Sequence, residues 1–295
     1  MNAQMAEKIL NGKGFIAALD QSGGSTPKAL RQYGIEENEY NGDSEMFDLI
    51  HQMRSRIIKS PSFTGDKVVG AILFEMTMDR DIDGTPTAEF LWNSKQVVPF
   101  LKIDKGLEAE ANGVQMMKPM PELDALLDRA VAKGIFGTKE RSVISAANQT
   151  GIKDIVDQQF EIGRQVSAKG LMPILEPEVT ITIADKAEAE AILRDELIKG
   201  LDAMTDGQVM LKLSLPTEAN FYKPLVDHPR VMKVVALSGG YSREDANSLL
   251  SKQTGMIASF SRGLTQGLSA KQSEFDFDSL LAGAVDGIHA ASVAG

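Results

Sequence analysis

The chain has 295 residues, of which 43% are hydrophobic and 24% are charged, and its formal net charge is −10. A negative charge of this size, with no block of basic residues along the sequence, argues against binding to nucleic acid or to anionic membranes. The absence of cysteine excludes disulfides, thiolate metal sites and cysteine nucleophiles, and the three histidines (His51, His228 and His289) are too far apart in sequence to indicate a metal site.

The N-terminus and the apolar segments indicate where the protein resides. The sequence contains no run of 18 apolar residues, so no transmembrane helix is expected. The first residues, MNAQMAEKILNGKG, lack the charged start, apolar middle and small-residue cleavage site of a signal peptide. Together with the lack of cysteine, these features predict a cytoplasmic protein.

Short apolar runs of β-forming residues alternate with helical patterns along the chain. Because no linker or low-complexity segment interrupts them, residues 1–295 are predicted to form one domain. The predicted strands are residues 14–20, 68–76, 97–104, 135–144, 171–179, 208–215, 231–240 and 255–264. The predicted helices include residues 44–58, 121–133, 151–169, 185–203 and 242–252, and a closing helix in SEFDFDSLLAGAVDGIHAAS.

Two helix starts carry capping signals. In STPKAL, Ser25 or Thr26 is the predicted N-cap, with Pro27 in the first turn. In SRED, Ser242 and Asp245 have the spacing of a capping box.

Eight strand–helix units predict an α/β fold with a parallel sheet closed into a single (β/α)8 TIM barrel. A doubly wound open sheet is the structural alternative. In that fold a G-x-G-x-x-G motif typically follows the first strand, and DQSGGS stands at this place instead. The closed barrel is therefore the preferred prediction.

Charged side chains fall at the ends of most of the predicted strands. In a barrel these ends surround the active site. Because side chains alternate along a strand, the charged members of each run share one face and point to the barrel axis, while their apolar neighbours face the outer helices. The charged residues of the first six runs are Asp20, Glu75, Lys102, Asp104, Lys139, Arg141, Glu176, Glu178 and Lys212.

Each of these features alone has an ordinary structural explanation. A single lysine near a strand end is usually a rim residue that reaches water, and the tripeptide EPE by itself is typical of a solvated turn. Six of eight strands with ionisable groups at one end of one fold are harder to explain as packing. The joint placement therefore indicates a functional site.

Without cysteine, and with three dispersed histidines, a lysine is the best candidate nucleophile. Lys212 lies in the apolar run QVMLKLSL, and Lys139 is expected across the barrel. Burial and a nearby like charge both favour the neutral amine, which attacks a carbonyl to form an imine. Glu176, Glu178 and Asp20 are the candidates for the proton transfers. This covalent lysine chemistry requires neither a metal nor a cofactor.

The loops after the seventh and eighth strands predict a phosphate site, as is common in barrels. Glycines let backbone N–H groups approach an anion, and serine and arginine side chains add donors. On the opposite side, serines and lysines are candidates for a second anion site, so a bisphosphorylated sugar is the expected substrate. The first site comprises Ser238, Gly239, Gly240, Ser261 and Arg262, and the second comprises Ser22, Ser25, Lys28 and Lys102.

Seven motifs in order resemble those of class I fructose-1,6-bisphosphate aldolases, most closely the shorter bacterial branch. They are ALDQSGGS, FLKIDKG, FGTKERS, PILEPEV, LKLS, LSGGYS and ASFSRGL. The resemblance implies a (β/α)8 barrel and the reversible cleavage of fructose 1,6-bisphosphate to dihydroxyacetone phosphate and glyceraldehyde 3-phosphate, a reaction of glycolysis and gluconeogenesis.

The resemblance also implies roles for individual residues. The Schiff-base lysine of the family falls on Lys212, and the general acid/base glutamate on Glu176, with Glu178 as its neighbour. The remaining correspondences are the first-strand aspartate Asp20, the auxiliary lysines Lys102 and Lys139, the phosphate contacts Ser238 and Arg262, and the substrate-side arginine Arg141.

The sequence departs from the animal enzymes at three places near the expected phosphate sites. Gln21 replaces a glutamate after the first-strand aspartate, and Ala29 replaces an arginine in the first helix. Ser261 replaces a glycine before the eighth-strand arginine. These departures concern the second phosphate site and leave the expected Schiff-base residues unchanged.

Two other functions fit parts of the pattern. A tagatose-bisphosphate aldolase or a transaldolase-like enzyme would use the same barrel and the same lysine. A sugar-phosphate-binding or scaffold protein would keep the barrel without the strand-six lysine or the EPE acid, and both are present here. The sequence leaves the oligomeric state open, a homo-oligomer included.

Overall fold

The structure is a computed structural model that describes residues 2–295. Eight parallel strands form its central sheet, and they correspond to the eight predicted runs. They are β1 (Phe15–Leu19), β2 (Val68–Leu73), β3 (Val98–Lys102), β4 (Gly137–Ile144), β5 (Met172–Val179), β6 (Val209–Ser214), β7 (Val231–Leu237) and β8 (Met256–Ala258).

The strands pair in chain order from β1 to β8, each parallel to the next. The last strand then returns to the first, where the Ala18 N–H donates to the Phe260 carbonyl over 3.2 Å. This return confirms the predicted (β/α)8 barrel and makes the open doubly wound sheet wrong. The additional strand Val114–Gln115 pairs antiparallel with β4, and Asp81–Ile82 forms a small hairpin with Thr85–Pro86.

Helices follow the strands and cover the outside of the barrel. The longer ones are α1 (Ala3–Asn11), α2 (Ser25–Gln32), α3 (Gly42–Lys59), α4 (Leu123–Ala132), α5 (Gln149–Ala168), α6 (Lys186–Asp202), α7 (Arg243–Leu250) and α8 (Glu274–Val293). Short helical turns occur at Glu37–Glu39, Glu75–Met78, Thr87–Glu89, Phe90–Ser94, Lys223–Val226 and Arg262–Thr265. Among the described helices, none has the length and apolar character needed to cross a membrane.

The two capping predictions have different outcomes. Ser242 is the N-cap of α7, and its hydroxyl accepts the Asp245 N–H over 3.0 Å, as predicted. The predicted N-cap of α2 is wrong, because the helix begins at Ser25 and Gly24 precedes it as N-cap. The Ser25 hydroxyl instead bonds back to the main chain of Ser22, accepting its N–H over 2.9 Å and donating to its carbonyl over 2.8 Å.

Strand alternation divides the apolar side chains into two separate cores. In β6, Leu211 and Leu213 pack outward against the helices, whereas Met210 points inward with Ile174 of β5. The inner core fills the N-terminal part of the barrel, and Ile9 of α1 is buried in it. Because these side chains fill the N-terminal part of the interior, open space remains at the C-terminal ends of the strands.

Candidate active site

A cavity of about 590 Å³ lies at the C-terminal ends of the strands. It contains thirteen of the fourteen site residues predicted from the sequence, and the exception, Gly240, lies next to Gly239 in the turn after β7. The predicted residues that line it are Asp20, Ser22, Ser25, Lys102, Lys139, Arg141, Glu176, Glu178, Lys212, Ser238, Gly239, Ser261 and Arg262.

The floor of the cavity holds an amine and a carboxylate from neighbouring strands. The pairing of Ile174 with Met210 sets the register of β5 and β6, and two residues further on Glu176 and Lys212 point to the axis side by side. Lys212 Nζ lies 3.1 Å from Glu176 Oε1, and the two residues are only 4% and 3% exposed. The predicted nucleophile and the predicted acid/base group therefore meet in a site screened from water.

Lys139 connects this pair to the first strand. Its Nζ lies 2.9 Å from Glu176 Oε2 and 2.7 Å from Asp20 Oδ2. Burial alone would lower the pKa of Lys139, but the Asp20 and Glu176 carboxylates outweigh it and raise that pKa. Burial alone would raise the pKa of Asp20, but Lys139 and Lys212 lower it well below its usual range. Lys139 and Asp20 thus form a permanently charged pair at neutral pH.

Glu178 lies one turn of the pleat beyond Glu176 on the same face of β5. Its Oε2 is 3.3 Å from Nη1 of Arg141, which projects from β4. Burial raises the pKa of Glu178, and the neighbouring Glu176 adds to this effect, while Arg141 opposes it. Glu178 therefore keeps its proton to a higher pH than an exposed glutamate, which suits a proton donor.

Lys102 and Asp104 form a second buried ion pair at the end of β3. Lys102 Nζ lies 2.7 Å from Asp104 Oδ1, and Asp104 Oδ2 accepts the Arg141 N–H over 3.2 Å. Burial lowers the pKa of Lys102, although Asp104 partly offsets this. Since Lys102 is the register partner of Lys139, two amines stand next to each other along this wall.

The turn after β7 and the segment after β8 form one wall of the cavity. Gly239 and Gly240 have φ values of 58° and 118°, a backbone conformation that glycine adopts most easily. Arg262 begins the short helix Arg262–Thr265 and lines the cavity beside Ser238 and Ser261. This wall therefore presents hydroxyl and guanidinium donors near a turn that leaves room for an anion.

The opposite wall comes from the loop after β1 and the start of α2. Ser22, Ser25 and Lys28 line the cavity here, as the sequence predicted. Ala29, which stands where the animal enzymes of the resembled family have an arginine, lines it too. Lys28 is therefore the cation that α2 supplies to this wall.

Several cavity residues were not among the predicted site residues. Ser259 in the segment after β8 is 1% exposed, and its Oγ is buried with no hydrogen-bond partner in the described structure. Gln21 and Asp104 also line the cavity. All three follow strands directly, so the rule that strand ends face the site could have identified them. The rule overpredicts at Glu75, which begins the short helix Glu75–Met78 and pairs with Lys105 outside the cavity.

Two further buried ionisable groups lie behind the cavity. Arg54 of α3 is fully buried, and burial lowers its pKa to about 10, against the opposing effect of Asp20. Glu140 is fully buried on the outer face of β4, where Thr138 Oγ1 donates to its Oε2 over 3.3 Å. Burial raises the pKa of Glu140 well above the ordinary value. Neither residue was predicted as part of the site.

Clusters of three or more His, Cys, Asp or Glu side chains with metal-binding geometry are absent from residues 2–295. The cavity is instead lined by six cationic and four acidic side chains. A protein with a formal net charge of −10 thus concentrates positive charge at this one place.

Fold and site together define a (β/α)8-barrel enzyme whose reactive groups are lysines and carboxylates. A solved structure similar in fold is fructose-bisphosphate aldolase from Plasmodium falciparum, crystallised with TRAP and a small-molecule inhibitor. It superposes with a TM-score of 0.81 over 99% of this chain and 94% of that chain, at 20% sequence identity.

The sequence comparison identifies the family within that class. The family model for class I fructose-bisphosphate aldolase matches residues 2–220. The chain belongs to this family, whose members are carbon–carbon lyases. The matched part includes Asp20, Lys139, Glu176 and Lys212 and ends before β7.

Proposed function

We propose that the protein is a Schiff-base fructose-bisphosphate aldolase that cleaves fructose 1,6-bisphosphate to dihydroxyacetone phosphate and glyceraldehyde 3-phosphate, in glycolysis and gluconeogenesis. The observation that carries this proposal is the contact of Lys212 with Glu176 on the cavity floor. A buried lysine within 3.1 Å of a carboxylate can pass its proton to that carboxylate and attack a carbonyl as the free amine.

The two anion-binding walls support a substrate with a phosphate at each end. Ser238, Gly239 and Arg262 stand on one wall, and Ser22 and Lys28 stand on the other, with Lys212 on the floor below. Arginine binds phosphate through two parallel hydrogen bonds, and lysine binds it as a point charge. The excess of cations in the cavity would draw an anionic substrate into an acidic protein.

Bond formation starts at Lys212. Its nitrogen lone pair forms a bond to the ketone carbon, and the π electrons of the carbonyl move to oxygen, which takes a proton from a carboxyl group. Loss of that oxygen as water, after a second proton, leaves a protonated imine. Glu176 lies within reach of the nitrogen for these transfers, and Glu178, with its raised pKa, is a second proton donor.

Bond cleavage uses the imine as an electron sink. A carboxylate removes the proton of the hydroxyl on the fourth carbon, whose O–H electrons form the aldehyde carbonyl. The electrons of the bond between the third and fourth carbons move to the iminium nitrogen and give an enamine. Protonation of the third carbon and attack of water on the imine then release the ketone phosphate and restore Lys212.

Lys139 and Asp20 serve this sequence as fixed charges. Because Lys139 stays protonated, it stabilises negative charge on Glu176 while protons move. Asp20, with its lowered pKa, is a poor proton donor and holds Lys139 in place. The ionic framework is thus already arranged before substrate binds, which is the main source of electrostatic catalysis.

Trapping the imine tests the proposal. The protein is incubated with dihydroxyacetone phosphate, reduced with borohydride, digested, and mapped by mass spectrometry. We expect the added mass on Lys212, unchanged activity in the presence of EDTA, and no labelling of a folded Lys212→Met variant. Label on another lysine would refute the assignment of the nucleophile, and loss of activity with the chelator would refute the metal-free mechanism.

Fructose 1,6-bisphosphate and tagatose 1,6-bisphosphate are then compared as substrates. We expect a higher kcat/KM for the fructose compound. A preference for the tagatose compound would assign the protein to that neighbouring activity.

A further inference from the structure

One side-chain hydrogen bond joins the two loops that carry the predicted phosphate ligands. Nε2 of Gln21, directly after β1, donates to Oγ of Ser261, after β8, over 2.7 Å. Between β1 and the segment after β8, the described residues form one backbone hydrogen bond, from Ala18 to Phe260. The contact of Gln21 with Ser261 therefore closes the cavity side of this junction.

The main chain at Gln21 is held from behind by the buried Arg54. Nη2 of Arg54 donates to the Gln21 carbonyl, and Nη1 donates to Thr77 Oγ1 over 2.7 Å. Fixing the main chain in this way also limits where the Gln21 side chain can reach. The amide is thereby presented to Ser261.

The direction of this hydrogen bond decides what the serine can do next. A hydroxyl group has one hydrogen to donate and two lone pairs that accept. Because the Gln21 amide donates, Ser261 uses a lone pair, and its own hydrogen remains available to another acceptor. Ser261 lines the cavity next to Arg262, so that hydrogen and the guanidinium can serve the same anion.

A glutamate at position 21 would reverse this arrangement. A carboxylate only accepts, so it would take the hydrogen of Ser261 for itself and would add a negative charge beside the anion. A glycine at position 261 would offer no hydroxyl at all. Two of the departures noted from the sequence, Gln21 and Ser261, are therefore partners in space, and each makes sense through the other.

We propose that Gln21 is a positioning residue that makes the Ser261 hydroxyl a hydrogen-bond donor to a substrate phosphate at the Arg262 wall of the cavity. This inference rests on the proposed function for the identity of the anion as a sugar bisphosphate. Gln21 acts through Ser261 and not on the reacting atoms.

Calorimetry with hexitol 1,6-bisphosphate tests the binding part separately from the chemistry, since this compound has no carbonyl and forms no imine. The variants are Gln21→Glu, Ser261→Gly and the double variant. Gln32→Glu is the matched control, because Gln32 also lines the cavity and gains the same charge without contacting Ser261.

We expect Ser261→Gly to weaken binding roughly tenfold in the native background, since a hydrogen bond to a charged group is lost, and by less than about twofold when Gln21→Glu is already present. We expect Gln21→Glu to weaken binding more than Gln32→Glu does. In turnover with fructose 1,6-bisphosphate, the Gln21→Glu defect should appear in KM, with kcat within about twofold of the native value.

Equal losses for the two glutamate variants would show a general charge effect and overturn the proposal. The same holds if Ser261→Gly has equal effects in both backgrounds, or if kcat falls as much as kcat/KM. Far-UV circular dichroism and urea unfolding check that each variant is folded. If Lys212 carries no label but the binding cycle behaves as expected, the aldolase proposal fails while the anion-site inference stands.

Discussion

Replacing Lys139 by methionine would leave two buried carboxylates without the cation they share. Lys139 lies 2.7 Å from Asp20 and 2.9 Å from Glu176, and it is 3% exposed. Removing one partner of a buried ion pair typically destabilises a protein by about 3–5 kcal/mol, because an uncompensated charge stays behind. Lys212 and Lys102 offset part of this loss, since they also attract Asp20. We therefore expect a loss near the lower end of this range at pH 7.

The pH dependence of this loss follows from the direction of the pKa shifts. The pKa of Asp20 is lower in the folded protein than its unfolded value of about 3.9. Its contribution to the free energy of unfolding is therefore fully present above pH 4 and is lost as the pH falls through the folded pKa. Without Lys139, the desolvated Asp20 takes up a proton at a higher pH. The difference between native and variant proteins should therefore be largest near pH 7 and shrink below about pH 5.

Urea unfolding of both proteins from pH 4 to pH 8 measures these differences. Lys153→Met is the control, because Lys153 pairs with Asp157 on the exposed surface of α5, and we expect its free energy of unfolding to equal that of the native protein within error. A Lys139→Met variant as stable as the native protein at pH 7 would refute the view that Lys139 is the counter-ion of the two acids. A difference that grows toward low pH would refute the sign of the shift.

Three other changes follow from the same geometry. Glu176→Gln should slow imine formation, measured by borohydride trapping over time, while the dissociation constant for hexitol 1,6-bisphosphate stays within about twofold; a defect in affinity alone would place Glu176 in the phosphate site. Arg262→Lys should weaken that binding roughly tenfold, since the two-point contact is lost; unchanged affinity would exclude Arg262 as a phosphate ligand. Glu140, with its raised pKa, should make the native protein less stable as the pH rises above about 4.3, and Glu140→Gln should remove this slope in urea unfolding; an unchanged slope would show that Glu140 is ionised.

Strand alternation explains why much of the site could be predicted from the sequence. In β6 the apolar residues Leu211 and Leu213 face the helices and leave Lys212 pointing inward, and the same rule places Glu176 and Glu178 in β5. The rule works because each strand has one face toward the axis and one toward the helices. It fails at Glu75, where β2 has already ended at Leu73 and a helical turn sets the direction of the side chain.

The contacts between distant loops could not be predicted in this way. Gln21 and Ser261 are 240 residues apart, and their hydrogen bond depends on how the last strand meets the first. Arg54 left a signal that could have been read, since this cation stands on the face of α3 that buries Ile50, Met53 and Ile57. Glu140 left one as well, since β4 places Thr138 and Ser142 beside it on the outer face.

The thin junction between the last and first strands has a consequence for dynamics. β8 is only three residues long, and its return to β1 relies on the Ala18 amide and the Gln21 side chain. The cylinder should breathe first along this line, with faster deuterium uptake at Ala18 than at the amides inside the β4–β5 ladder. A ligand that touches both Ser22 and Arg262 would bridge the line and act as a brace, so saturation with bisphosphate should slow exchange there before any covalent step occurs.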